Sequence, residues 1–168
     1  QRLAAKDTTV ILDAAPPPAA RTTRLGCAST LALEVSDGPH RLIVNCGGAR
    51  GAGAGLTPSL TDGLRTTAAH STLTLADSNS TAVLPDGSLG KGVNEIELDR
   101  SESDASSKAD ASHDGYVRRY GLIHRRTLAL SSDGKEVRGD DVLLPASSRK
   151  KQGTIPFAAR FHLGPGAE

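Results

Sequence analysis

The stretch "ASTLALEVSDGPHRLIVNC", residues 28–46, decides the fold class of this chain. Two runs rich in Leu, Val, Ile and Thr, 28–36 and 40–46, flank the turn SDGP at 36–39. Short runs of this composition are typical of β-strands, and Asp-Gly supplies the positive φ that a tight turn needs. The stretch therefore predicts a β-hairpin.

The same punctuation extends in both directions along the chain. Short apolar runs alternate with clusters of Gly, Pro, Ser and Asp, and a second hairpin turn reads SSDG at 131–134. Further strands are predicted at 8–14, 70–76, 93–99, 115–131 (two strands or one bent strand), 135–144 and 156–163. We expect one all-β domain, an antiparallel β-sandwich over residues 1–168, with at most a short helical turn near Leu60–Leu64.

Four polar or glycine-rich segments are predicted to lie outside the strands. Three prolines make 16–24 a connection, and 147–153 is predicted to be a solvated turn. The glycine-rich segment 47–59 lacks the following helix and the Lys-Ser or Lys-Thr pair of a phosphate loop. Residues 100–114 have almost no large apolar side chain, so we expect a mobile surface loop there.

Composition excludes several classes of partner. The 168 residues include 20 basic and 19 acidic side chains and carry a net charge of +1, which gives no field for nucleic acid or an acidic membrane. No apolar run approaches the ~20 residues of a membrane span. With only two Tyr, two Phe and no Trp, a free-standing sugar-binding module is disfavoured, because such clefts commonly present aromatic faces.

Histidines are the first candidates for acid–base or metal chemistry. The chain has five, His40, His70, His113, His124 and His162. We expect His40 and His124 at solvated strand positions, because the first flanks a turn and the second lies beside two arginines. His113 is expected to end the mobile loop. His162 is expected on the strand face opposite its two apolar neighbours.

His70 has potential partners at the open end of the first hairpin, where Cys27, Asn45 and Cys46 fall. Thiolate and imidazole groups are good zinc ligands, whereas an asparagine amide is poor. A zinc site is therefore one interpretation. In the other, the cysteines are small buried apolar groups and His70 is a hydrogen-bonding residue at a strand end. The two cysteines alone allow one bridge, two thiols or metal ligands.

A family resemblance extends over nearly the whole chain. Its segments are GCASTLALEVSDGPHRLIVNCG at 26–47, RTTAAHSTLTL at 65–75, HDGYVRRYGLIHRRTLAL at 113–130 and IPFAARFHLGPG at 155–166. Together they resemble the C-terminal β-sheet region of the heparinase II/III family. The resemblance implies a polysaccharide lyase in which a helical toroid, expected upstream of Gln1, and the β-sandwich form a cleft for an acidic polysaccharide. Such enzymes cleave uronic-acid-containing glycans by β-elimination.

The most specific match is Ala69 to Leu73, and through it the resemblance implies that His70 is a zinc ligand. A departure lies in the first motif, usually His-Gly-His-Ala-Asp, which here runs from Leu25 to Ser29. Leu25 replaces the histidine that is catalytic in the family, and Cys27 replaces the second, metal-binding histidine. Asn45 stands where the family's aspartate ligand lies, so a zinc set would be His70, Cys27 and Asn45, with Cys46 as a further candidate.

In the family, a catalytic tyrosine, a histidine or asparagine, and an arginine lie in the helical toroid, and this chain does not contain them. Together with the loss of the histidine at Leu25, this leads us to expect no lyase activity from the isolated chain. If the parent is active, Arg24, Arg50 or Arg65 could neutralise the substrate carboxylate. The alternative is a non-catalytic structural or glycan-binding domain of a degenerate family member, and a remote third is a metal sensor using Cys27 and Cys46. We expect a bacterial protein, periplasmic or cytoplasmic, with the sandwich truncated at its C-terminus.

Overall fold

The computed structural model describes residues 1–18, 25–48, 55–146 and 153–167. Its elements in chain order are β1 (Arg2–Ala5), β2 (Thr8–Leu12), β3 (Leu33–Asp37), β4 (His40–Val44), α1 (Pro58–Gly63), a 3₁₀ turn (Thr67–Ala69), β5 (Leu73–Leu75), β6 (Ile96–Glu102), β7 (Ser106–His113), α2 (Val117–Tyr120), β8 (Leu122–Ser131), β9 (Val137–Pro145), β10 (Phe157–Ala159) and β11 (His162–Leu163).

The strands form two main antiparallel sheets and one small one. The first main sheet has the order β1-β2-β3-β4-β11, and the second has the order β6-β7-β8-β9. Strands β5 and β10 pair with each other as a two-stranded sheet. Every strand pair is antiparallel, and the described helices are short. The all-β prediction is confirmed. No helix within the described ranges has the length and apolar character needed to cross a bilayer.

The main hydrophobic core lies between the two larger sheets. Strand β1 packs on β7 and β8, and along β8 buried residues alternate with residues that face outward. The buried members of this core are Leu3, Val10, Leu12, Leu31, Leu33, Val35, Ala109, Ala111, Leu128 and Leu130. Side chains from both sheets therefore meet in one layer, which is the architecture of a β-sandwich.

Both predicted hairpins are present. The turn between β3 and β4 contains Gly38 at φ 51°, and the turn between β8 and β9 contains Gly134 at φ 74°. A positive φ is costly for most residues with a Cβ atom, so glycine at these two positions favours the turns. These two turns connect the strand pairs β3–β4 and β8–β9 and set their register.

The mobile loop predicted at 100–114 is wrong. This segment forms the end of β6 and all of β7, and β7 pairs on one side with β6 and on the other with β8. The side chains of Ala109 and Ala111 are at most 1% exposed beneath β1. Small residues are weak strand formers in isolation, but here pairing on both edges and burial of the alanine face decide the conformation.

Several predicted strands are shorter or differently bounded than expected. The run 28–36 enters the ladder only at Leu33, and the segment before it is buried but irregular, with Leu31 at φ 61°. The run 115–131 begins with α2 before β8, and 156–163 divides into β10 and β11. Strand β1 was not predicted. Parts of the connection 16–24, the glycine-rich segment 47–59 and the basic turn 147–153 lie outside the described residues.

Candidate functional site

Asn45 links the first hairpin to the segment that precedes β5. Its side-chain oxygen accepts a hydrogen bond from the backbone N–H of Ser71 at 2.7 Å. Its side-chain nitrogen donates to the carboxylate of Glu34 at 3.2 Å. Both polar ends of this amide are therefore engaged with protein groups, and Asn45 aligns the open end of the hairpin beside residues 70–71.

His70 is buried and held in one tautomer. Its Nδ1 lies 2.8 Å from the carbonyl oxygen of Thr66, and because a carbonyl can only accept, Nδ1 carries the proton. Burial lowers the pKa of His70, opposed by the Thr66 carbonyl and by the nearby Asp13. Burial raises the pKa of Asp13, although Ser29 donates a hydrogen bond to its carboxylate at 2.7 Å. His70 is thus a neutral imidazole at a strand end.

The two cysteines lie in different surroundings, and neither is in a disulfide. Cys46 is exposed, and its sulfur is 3.9 Å from Nδ1 of His162. Cys27 is half-buried, with its sulfur 3.9 Å from the carbonyl oxygen of Leu25. The contacts described for His70, Cys27 and Cys46 thus lead to the Thr66 carbonyl, the Leu25 carbonyl and the His162 ring.

The described part of the chain contains no group of three or more His, Cys, Asp or Glu residues placed to hold a metal ion. The donor chemistry of the predicted set is also weak, because the Asn45 amide is already hydrogen-bonded at both ends. The contacts therefore do not favour zinc. The zinc set His70, Cys27, Asn45 and Cys46 stays a prediction, which metal analysis of protein purified without chelator decides.

A second cluster, which the sequence analysis missed, lies inside the sandwich. His113 and His124 are directly opposite each other on β7 and β8, and Arg126 is opposite Asp141 on β8 and β9. The exposed fractions of His113 and His124 are 2% and 0%. The predictions of a solvated His124 and of His113 ending a mobile loop are therefore wrong. We call His113, His124, Arg126 and Asp141 the buried network.

The hydrogen bonds of the buried network fix where its protons lie. The backbone N–H of Gly115 donates to Nδ1 of His113 at 3.1 Å, so the proton of that ring is on Nε2. Nε2 of His113 is 3.3 Å from Nδ1 of His124, which must then accept. Nε2 of His124 in turn donates to Oδ1 of Asp141 at 2.7 Å. Every ring nitrogen has a partner, and both imidazoles are neutral.

Burial is the main cause of the pKa shifts of these histidines. It lowers the pKa of His113 to about 3, with additional contributions from His124 and Arg126. Burial also lowers the pKa of His124, against the opposing effect of Asp141. Burial alone would raise the pKa of Asp141, but hydrogen bonds from His124 and Arg126 hold it well below its usual range. The network thus contains one ion pair and two uncharged rings.

Arg126 connects the network to the rest of the sandwich. Its guanidinium donates to both carboxylate oxygens of Asp141, at 2.8 and 2.7 Å. Its third nitrogen donates to the carbonyl oxygens of Leu31 and Ser71, each at 2.7 Å. These bonds tie the second main sheet to the segments that precede β3 and β5, so the network positions the layers. Its histidines are closed to any substrate.

Comparisons with known proteins agree with this architecture. The family model described as heparinase II/III-like, C-terminal, matches residues 1–168. The chain belongs to this family. FtsZ-localized protein C of Caulobacter vibrioides (strain NA1000 / CB15N) is 33% identical over 179 residues, covering 94% of this chain and 28% of that protein. The chain thus spans 28% of the length of this curated relative. No solved structure matches significantly.

Within the heparinase II/III-like domain, the first motif has lost the histidine that the family resemblance places at position 25. Leu25 is 48% exposed at this position, and it presents a hydrocarbon surface instead of an imidazole. A hydrocarbon side chain cannot accept or donate a proton. The catalytic contribution that the sequence resemblance assigns to this motif cannot come from residue 25.

Of the three arginines considered as carboxylate-neutralising groups of the heparinase II/III-like domain, the structure describes Arg65. Its side chain is 2% exposed, and its Nε donates to the carbonyl oxygen of Gly26 at 2.8 Å. One terminal nitrogen has no hydrogen-bond partner in the described structure. The buried Arg65 side chain therefore holds the backbone of the first motif in place at Gly26. Arg24 and Arg50 lie outside the described residues.

Proposed function

We propose that residues 1–168 act as a non-catalytic interaction domain of a heparinase II/III-like protein. The observation that carries this proposal is Leu25, whose exposed hydrocarbon side chain stands where the family resemblance expects a catalytic imidazole. In this view the chain keeps the sandwich of a polysaccharide lyase and uses its surface for assembly instead of glycan cleavage.

The surroundings of the buried histidines support the proposal. Removal of the proton next to a uronic acid carboxylate needs a base within ~3 Å of that proton. Both ring nitrogens of His113 and of His124 are hydrogen-bonded inside the sandwich, and His70 is 4% exposed. These three imidazoles are at most 4% exposed, so none of them is available to a polymeric substrate at the surface.

We expect no formation of unsaturated uronide when the purified chain is incubated for hours with heparin, heparan sulfate or alginate. Substrate positioning can supply ~7–11 kcal/mol of a reaction barrier, and the toroid wall that the family uses for this is absent from the chain. Ultraviolet absorbance of the unsaturated product is the measurement, with His70→Ala as the comparison variant. Activity that His70→Ala abolishes would contradict the proposal.

A second candidate function is that the sandwich supports an active toroid in a full-length lyase. The family membership favours it, because the resemblance implies that other catalytic groups lie outside this region. The same absorbance assay on the full-length protein separates the two candidates. Product from the full-length protein but not from residues 1–168 would favour the supporting role and overturn the proposal that the sandwich serves assembly instead of glycan cleavage.

The name of the relative from Caulobacter vibrioides suggests where such an assembly role acts. We propose that the protein containing this chain localises with FtsZ, on the basis of 33% identity across 94% of the chain. A fluorescent fusion of the full-length protein is expected to coincide with labelled FtsZ in dividing cells. A fusion that stays dispersed while FtsZ is assembled would contradict this part of the proposal.

A further inference from the structure

The two main sheets leave an open groove along one side of the sandwich. The second sheet ends at β9, whereas the first continues through β4 to β11. Between them lies a groove of about 710 Å³ whose apolar lining includes Leu33, Val35, Ile43, Leu128, Val137 and Phe161. Phe161 is 53% exposed, although it lines the groove beside the core. Among the described residues, the second sheet has no strand beyond β9.

Within the described part of the chain, no strand pairs with the edge of β9 that borders this groove. The N–H of Ser131 donates to the carbonyl of Glu136 at one end of the β8–β9 ladder, and the N–H of Ala146 donates to the carbonyl of Gly121 at the other end. Ser131 with Glu136, and Gly121 with Ala146, are therefore hydrogen-bonded pairs. In an antiparallel ladder such pairs recur every second residue. In β9 the backbone N–H and C=O groups of Arg138 and Asp140 therefore point to β8. Those of Val137, Gly139 and Asp141 point away from β8, toward the open edge. In the described structure β9 pairs with β8 alone.

We propose that this groove and the β9 edge bind one extended segment of a partner protein, added as a fifth strand to the second sheet. The segment would form backbone hydrogen bonds with Val137, Gly139 and Asp141 and would place alternate apolar side chains in the groove. This inference rests on the proposed interaction role, since it names the surface and the kind of partner.

A second copy of this chain is a poorer occupant than a single strand. Antiparallel pairing of β9 with its equivalent requires a two-fold axis perpendicular to the sheet. Both copies would then bring β4 and β11 to the same side of the junction, where there is room for one added strand. An isolated extended segment has no such layer behind it, and it would cover Phe161.

The charges on β9 specify part of the partner's sequence. Arg138 and Asp140 are exposed on the outer face of the strand, two residues apart, and Arg138 also forms an exposed ion pair with Glu136 of its own chain at 2.8 Å. Opposite charges directly across a ladder are favourable. In an antiparallel fifth strand, the partner should therefore carry a basic residue opposite Asp140. Two residues later in its own chain it should carry an acidic residue opposite Arg138. Between them, opposite Gly139, the missing side chain leaves room for a large apolar residue.

The probe for this inference is the labelled peptide acetyl-Thr-Val-Lys-Phe-Glu-Val-Thr-amide, measured by fluorescence anisotropy. We expect saturable binding to residues 1–168. N-methylation of the Phe and of the second Val removes N–H groups that face β9 and should weaken binding by about tenfold or more. N-methylation of Lys and Glu, whose N–H groups face away, should change affinity by about twofold or less.

Matched protein variants locate the site. Phe161→Ser removes a groove side chain and should weaken binding about fivefold, whereas Phe157→Ser, also at an exposed phenylalanine but outside the groove lining, should leave it unchanged.

Exchanging Lys and Glu in the peptide should weaken binding to the wild-type chain, and Arg138→Asp with Asp140→Arg should restore it. Absence of binding, or equal loss with either N-methyl pattern, would overturn the inference. Neither result would alter the absorbance assay, so the two proposals fail separately.

Discussion

Replacing Arg126 by methionine is expected to lower the free energy of unfolding by about 3–5 kcal/mol. The substitution keeps most of the side-chain volume, but it removes the partner of both Asp141 oxygens and of the carbonyls of Leu31 and Ser71. Leu31 and Ser71 are 0% exposed, so their carbonyl oxygens are left without solvent that could replace the guanidinium, whereas the Asp141 side chain is 17% exposed. Urea unfolding at pH 7, followed by circular dichroism, measures the loss.

The neighbouring residue provides a matched control. Arg125 points to the opposite face of β8 and pairs with Asp110, with about half of its side chain exposed. Surface ion pairs contribute little to stability. Arg125→Met is therefore expected to have a much smaller effect than Arg126→Met. Equal effects of the two substitutions would show that the buried network does not hold the layers together.

Lowering the pH from 6.5 to 4.5 is expected to destabilise the domain by on the order of 2 kcal/mol through His113 alone. Burial lowers the pKa of His113 from 6.5 to about 3 in the folded state, so between these values the unfolded state binds a proton that the folded state does not. The stabilising contribution is fully present above pH 6.5 and is lost as the pH falls. Between the two pKa values, the loss of stability is about 1.4 kcal/mol per pH unit for one histidine.

Other groups change the size of this pH effect in known directions. The pKa values of His70 and His124 are also lowered by burial, so both residues add to the loss in acid. Burial raises the pKa of Asp13, which opposes the loss, because protonation of this carboxyl is easier in the folded state. Asp141, whose pKa is held below its usual range, also adds to the loss at the acidic end, so we expect a net loss of stability.

The variant His113→Gln isolates the contribution of this residue. It should lower stability at pH 7 and make the decrease between pH 6.5 and 4.5 shallower, because one titrating group has been removed. Urea unfolding at four pH values between 4.5 and 7.5 is the measurement, with His40→Gln as the matched substitution at the surface. A wild-type stability that does not change over this range would contradict the account.

The sequence predicts those parts of the fold that depend on local patterns. Alternation and the Asp-Gly turns of the first hairpin and of SSDG at 131–134 indicate paired strands without knowledge of the rest of the chain. The β6–β7 hairpin is different, because Ala109 and Ala111 become a strand face only when β1 covers them and β8 pairs beside them. Such long-range contacts leave little trace in local composition.

The buried network shows the same limit for site prediction. One signal was available, since Leu128 and Leu130 alternate with outward residues and thereby place His124 and Arg126 on the inner face of the same strand. The partners of these two residues depend on the register of β8 with β7 and β9, which the sequence does not state. The family resemblance, in contrast, depends on short motifs, and the family match over residues 1–168 confirms it.

We infer that the buried histidines of this domain are structural groups rather than catalytic ones. Long-range ¹H–¹⁵N correlation spectra of the imidazoles report protonation and tautomer at each ring nitrogen. For His113 and His124 we expect the proton on Nε2 of both rings, as the bond from Gly115 and the bond to Asp141 require, and a neutral His113 ring throughout pH 5.5 to 8. A ring of either residue that titrates near pH 6.5 and exchanges its proton rapidly with solvent would contradict the account.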